Sequence, residues 1–160
     1  MVQHTGSDST GELLSELRRT PSRLALVVGD PSGHVAGALA ERFCMTITHA
    51  DICLLEPKPV MSHQEVVDRL AAVGGLITDL DIVFWRPWLR LDPLGVMRAV
   101  TRRRPGAIFW WPGNVHGGRA TYSEPGRRDH YEASLNDAIV LHPMPIQFPD
   151  DPPYRLERYA

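Results

Sequence analysis

The chain has 160 residues, 43% of them hydrophobic and 22% charged, with a formal net charge of −2. That balance excludes collagen-like, disordered and membrane-embedded classes and predicts one soluble domain with its own core. Of the 17 basic side chains 16 are arginine, and Lys58 is the single lysine, so chemistry that needs a lysine anywhere else is excluded.

No run approaches the roughly 18–20 consecutive apolar residues needed to cross a bilayer. The start, MVQHTGSDST, has neither a basic nor an apolar leader region, so a cytoplasmic location without membrane contact is expected. Cys44 and Cys53 have no CxxC spacing and read as free, mostly buried thiols. Charge is unevenly spread: residues 1–85 carry −5, residues 86–128 carry +7 and residues 129–160 carry −4. The basic middle makes Arg102, Arg103 and Arg104 candidate nucleic-acid contacts, against the alternative of a solvated face paired with acidic neighbours.

In chain order, residues 1–22 read as a frayed start and one helix. Ser9-Thr10-Gly11-Glu12 has capping-box spacing, Leu13, Leu14 and Leu17 line one face, and Pro21 ends it. Leu24–Val28 is a continuous apolar run of the kind found in strands covered on both faces. A loop over Gly29–Gly33 leads to a helix over His34–Phe43, with Val35, Ala38, Leu39 and Phe43 as its apolar stripe, and to a short strand over Met45–Thr48. Strand, loop, helix and strand form a βαβ unit.

Ser62-His63-Gln64-Glu65 is a second capping box. It opens a helix lined by Val66, Val67, Leu70 and Val73 and stopped at Gly74-Gly75. Leu76–Asp79 reads as a strand ending in a carboxylate, followed by Asp81–Phe84 and the turn Trp85-Arg86-Pro87-Trp88. Asp92-Pro93 is an N-cap with proline at the first helical position, and the helix it starts ends on the arginine triplet, where cations suit the dipole. Ala107–Trp111 is a further strand, Pro112-Gly113-Asn114 a turn, Arg119–Ser123 a hairpin arm and Ala138–His142 the last strand. Pro143, Pro145, Pro149, Pro152 and Pro153 mark residues 143–160 as an irregular tail. The alternation predicts an α/β sandwich around a mainly parallel sheet, with residues 23–142 as its body.

In such a sheet the natural anion site is the loop after the first strand, where helix N-terminal amides point outward. Here it comprises Gly29, Asp30, Pro31, Ser32, Gly33, His34, Val35 and Ala36. Against G-x-x-x-x-G-K-[ST], the second glycine is His34, the lysine is Val35 and the hydroxyl residue is Ala36. Val35 removes the ammonium for the β- and γ-phosphates, and Ala36 removes the Mg2+ ligand. Hydrogen bonds to charged groups contribute about 1.5–3 kcal/mol each, against about 0.3–1 kcal/mol from an exposed helix dipole. Losing the lysine therefore weakens nucleotide binding about tenfold to a hundredfold, leaving at most weak ATP/Mg2+ binding.

Leu76-Ile77-Thr78-Asp79 is similar to a Walker B strand, with Asp79 placed for the Mg2+ shell; the alternative is a carboxylate that merely ends a strand. Leu80 follows where many ATPases carry a glutamate, and Asp81 would face the other way. The Gly29, Gly33 and Gly37 spacing is not the dinucleotide pattern G-x-G-x-x-G, despite Asp51 lying about 20 positions further on. The seven histidines show no H-x-x-H or HExxH pairing and read as solvated or core residues, with His49-Ala50-Asp51 the nearest approach to a metal motif. Ser32 is not in a G-x-S-x-G elbow. Trp85, Trp88, Trp110 and Trp111 lie among arginines and offer stacking surfaces for bases or a partner, with core packing the alternative for Trp110.

Several segments together resemble one family. These are Leu24–Ala36, the Asp79 strand with Asp81-Ile82-Val83-Phe84, Leu91-Asp92-Pro93-Leu94, the helix ending at Arg104, Trp111-Pro112-Gly113, Arg119-Ala120-Thr121-Tyr122-Ser123-Glu124-Pro125-Gly126 and Ala138–Val140. In matching order over about residues 23–142, they resemble BrxF, the small P-loop family of type 3 BREX (bacteriophage exclusion) systems. The resemblance implies a three-layer P-loop NTPase-like sandwich. It also implies a role in phage defence beside a large ATPase, a DNA methyltransferase and an alkaline-phosphatase-like protein. Members of that family usually carry an intact G-K-T loop, and the departures at His34, Val35 and Ala36 point to a subunit that works by binding partners, a second copy among them. Two alternatives stay open: a DNA-binding accessory module, and an active NTPase using Lys58 as a displaced phosphate ligand.

Overall fold

The structure, a computed structural model, describes residues 10–31, 34–54, 62–84, 91–145 and 154–160. The Ser9 cap, Ser32, Gly33, Lys58, Trp85 and Trp88 lie outside the described residues.

The chain opens with α1 (Thr10–Arg19), which buries Leu13 and Leu17, and enters β1 (Leu24–Val27), buried at all four positions. Next come α2 (Val35–Arg42), β2 (Ile47–His49), α3 (Ala50–Leu54), α4 (His63–Val73), β3 (Leu76–Thr78), α5 (Asp81–Phe84), α6 (Pro93–Arg103) and β4 (Ile108–Trp110). A small antiparallel sheet of β5 (Asn114–His116), β6 (Arg119–Tyr122) and β7 (Tyr131–Ser134) follows, and β8 (Ala138–Pro143) and β9 (Tyr154–Tyr159) complete the main sheet.

The main sheet has the order β2-β3-β4-β1-β8-β9. Its first five strands are parallel and β9 runs antiparallel to β8. Because side chains alternate across each strand, β1 feeds two cores. Ala25 and Val27 meet Leu13 and Leu17 of α1, Leu39 and Ala40 of α2, and Phe43 at the end of α2. Leu24 and Leu26 meet Val66 and Leu70 of α4, Val96, Met97 and Val100 of α6, and Ala120 and Tyr122 of the small sheet. Helices thus cover both faces of a mainly parallel sheet, as the alternation of elements predicted. No helix among the described residues is long and apolar enough to cross a membrane.

The second capping box forms as read: Ser62 Oγ accepts from the Glu65 amide at 3.2 Å, and the Glu65 carboxylate accepts from the Ser62 amide at 3.0 Å. Gly74, at φ 64°, stops α4.

Several expectations need correction. Residues 154–159 form an ordered strand rather than irregular tail, because all five prolines precede Tyr154 and the YRLERY segment alternates buried Tyr154 and Leu156 with polar residues. Tyr154 stacks on Phe43 with ring centroids 5.5 Å apart. Arg158 bonds Glu16 of α1 at 3.1 Å, and Glu16 also holds Arg23 at 2.6 Å. Glu16 thus links α1 to β9 and to the residue before β1. Cys44 is exposed rather than buried, in a turn at φ 51°. The buried stripe of α2 is Ala36, Leu39, Ala40 and Phe43, while Val35 and Ala38 face outward; in α4, Ala71 takes the buried place expected for Val73. Asp81 begins α5 instead of extending a strand, and its carboxylate accepts the Tyr122 hydroxyl at 3.1 Å.

Candidate functional site

β1 enters the sheet between β4 and β8, so its C-terminal end opens at the middle of the sheet rather than at an edge. The chain leaves β1 toward the α2 face and leaves β3 toward the α6 face, and crevices at such switch points are where open α/β sheets bind ligands. Gly29 turns the chain there at φ 114°, a conformation few residues but glycine adopt. Its carbonyl accepts from the Trp110 indole Nε1 at 2.7 Å, which ties the loop to β4. Trp110 is thereby a core anchor rather than a stacking surface.

Asp30, Pro31 and His34 are exposed around this loop. His34 occupies the N-cap of α2 in helical geometry and makes no side-chain cap, so it satisfies none of the first helical amides. Val35 is the first helical residue and is 40% exposed, whereas Ala36 turns into the core at 9%. The two positions that would carry an ammonium and a hydroxyl thus present isopropyl and methyl groups. Val35 instead contributes with His34, Ala38 and Leu39, and with Pro143, Met144 and Pro145 after β8, to an open apolar hollow of about 180 Å3.

At the end of β3 the structure builds a different cluster. β3 stops at Thr78, and Asp79 takes a left-handed conformation at φ 57°. One Asp79 oxygen lies 2.6 Å from Nδ1 of His49, which ends the adjacent strand β2, and the same oxygen accepts from the buried Thr78 hydroxyl at 2.9 Å. Asp51, in the first turn of α3, brings a carboxylate to the same place: the ligand atoms of His49, Asp51 and Asp79 all lie within 4.8 Å of one another. Asp79 thus faces His49 across the β2–β3 pair. The sequence displays His49-Ala50-Asp51 openly, but joining it to Asp79 requires the pairing His49↔Thr78 in the strand register.

Several residues of the distinctive motifs make packing contacts. Trp111 donates its indole N–H to the Thr121 carbonyl at 2.9 Å, and a Cβ on Gly113 would overlap that carbonyl. Tyr122 stacks on Phe84 with centroids 3.9 Å apart, and Trp111 meets Phe84 edge-on. Asp92 stands at the N-cap of α6 but makes no side-chain cap; its carboxylate instead accepts the Tyr131 hydroxyl at 2.7 Å. Burial, and then that bond, push the Tyr131 phenol up from its ordinary value.

Of the arginine triplet, Arg103 is paired with Asp68 of α4, and Arg104 reaches the Ala72 carbonyl at the C-terminal end of α4 at 3.2 Å. Two of the three thus fasten α6 to α4, and Arg102 is exposed.

Comparison with protein-family models, curated proteins and solved structures finds no match for this chain.

Proposed function

We propose that this chain is a P-loop NTPase-like subunit that has lost nucleotide hydrolysis and acts by binding partner proteins in a BREX-type phage-defence system. The observation that carries the reading is the start of α2. A buried strand, a positive-φ glycine and the start of a helix follow one another in the order of a phosphate-loop motif, and in that motif Val35 and Ala36 fall at the lysine and Ser/Thr positions. The position of Asp79, two strands from β1 with β4 between, supports the same architecture. Asp79 lies 2.6 Å from His49 Nδ1.

The motif resemblance supplies the partners expected in such a system: a large ATPase, a DNA methyltransferase and an alkaline-phosphatase-like protein, in the cytoplasm. Direct DNA contact through the arginine triplet is the weaker reading, since Arg103 and Arg104 already have intramolecular partners. The deciding measurement is calorimetric titration of the full chain with ATP and Mg2+. Binding weaker than about 1 mM, an affinity of about 4 kcal/mol, with no phosphate release, is the expected result; micromolar binding with turnover overturns the proposal. If turnover is found, Lys58→Ala tests whether that lysine replaces the missing one.

A further inference from the structure

We propose that His49, Asp51 and Asp79 form a site for a borderline divalent cation, Mn2+ or Zn2+, that needs no nucleotide. The three residues come from the C-terminal ends of two adjacent parallel strands and the turn of helix between them, so backbone hydrogen bonding in the sheet sets their spacing. Their ligand atoms lie within 4.8 Å of one another. Ligands about 2.1 Å from one ion stand roughly 3.0–3.4 Å apart in octahedral or tetrahedral arrangements. The longest separation must therefore close by somewhat over 1 Å, and the His49 and Asp79 atoms, now 2.6 Å apart, must part by a few tenths. Side-chain rotation supplies both movements, because the His49 and Asp79 side chains are about half exposed.

Charge points the same way. No arginine among the described residues pairs with Asp51 or Asp79, although the carboxylates converge, and His49 is the one ring facing them. A divalent ion would balance the charge of the two carboxylates. The donor set also selects the ion: carboxylates alone suit Mg2+ or Ca2+, while one imidazole among them favours Mn2+ or Zn2+. Thr78, 3% exposed, donates its hydroxyl to Asp79 and acts as an outer-shell support that fixes the carboxylate. Three protein ligands leave further positions open to water or an oxyanion.

The test uses the full chain, stripped with chelator and free of nucleotide, titrated with Mn2+ while free Mn2+ is counted by electron paramagnetic resonance. One Mn2+ per chain is expected, displaced by Zn2+ and held at least about tenfold more tightly than Mg2+. His49→Gln and Asp79→Asn should each weaken binding by about tenfold to a hundredfold, while His130→Gln and His142→Gln leave it unchanged. Circular dichroism identifies a variant that fails to fold, and Asp51→Asn then takes its place. No Mn2+ or Zn2+ bound at about 1 mM, binding indifferent to the ligand substitutions, or Mg2+ held equally well would each overturn the site. Because ATP is absent throughout, none of these results bears on the nucleotide-loop reading.

Discussion

The loop after β1 makes a gain-of-function prediction sharper than any loss. Val35 is the first residue of α2 and is 40% exposed, so Val35→Lys replaces a solvent-facing isopropyl group and should change stability by less than about 0.5 kcal/mol. If the loop retains the geometry of a phosphate cradle, the new ammonium reaches the β- and γ-phosphates. A charge-assisted bond of about 1.5–3 kcal/mol then tightens ATP binding by about tenfold to a hundredfold. Ala36→Thr is not included, because Ala36 faces the core and added volume there costs about 1–3 kcal/mol. Val35→Met, of similar length and no charge, is the control. Competition with a fluorescent nucleotide in the presence of Mg2+ gives both affinities under one condition, and the gain should shrink as salt rises. Equal affinity for the lysine and methionine variants would refute the reasoning, because it would mean that position 35 does not look onto a phosphate site.

Other consequences concern the frame that holds the loop. Glu16 joins α1 to Arg23 and to Arg158 of β9. Burial raises its carboxyl, but the two arginines outweigh that and hold it below the ordinary range. Since its folded value is depressed, the carboxylate stabilises at neutral pH and loses that effect as pH falls through it. Glu16→Gln should lower stability by about 1 kcal/mol, discounted for exposure, and the melting temperature by about 2–4 °C at pH 7. The gap should narrow in acid, and an equal deficit at pH 3 would count against the ion network. Gly113→Ala should destabilise by more than about 2 kcal/mol in urea unfolding, since its Cβ would meet the Thr121 carbonyl. The triple substitution of Arg102, Arg103 and Arg104 by alanine should lower the melting temperature, because Arg103 and Arg104 hold α6 against α4. In the same variant, salt-dependent DNA binding that fell by a slope of about 2–3 would revive the nucleic-acid alternative.

Much of this molecule is legible without coordinates. The continuous apolar run of β1, the capping box at Ser62, the glycine stop at Gly74, the proline-started α6 and the hairpin arm at Arg119 are local signals, each decided within a few residues. The absence of a lysine from position 35 is equally local, because it holds in any fold. Other features escaped, among them α3, β5, β7 and the exposure of Cys44. β9 is short, partly charged and preceded by prolines, and only pairing with β8 and packing on Phe43 give it strand identity. The outward turn of Val35 and Val73 depends on where each helix lies against the sheet, which periodicity specifies only to within about one residue. The meeting of His49 and Asp51 with Asp79 depends on strand register, set by backbone hydrogen bonds between segments some 30 residues apart.

By itself, then, the sequence determined the order and type of most elements and the absence of a lysine from the loop after β1, since these are properties of short stretches of chain. Tertiary structure alone decided which end of which strand faces which neighbour. It thereby turned a lone histidine and two separate carboxylates into one cluster, because non-local backbone pairing, not composition, sets the distances between them.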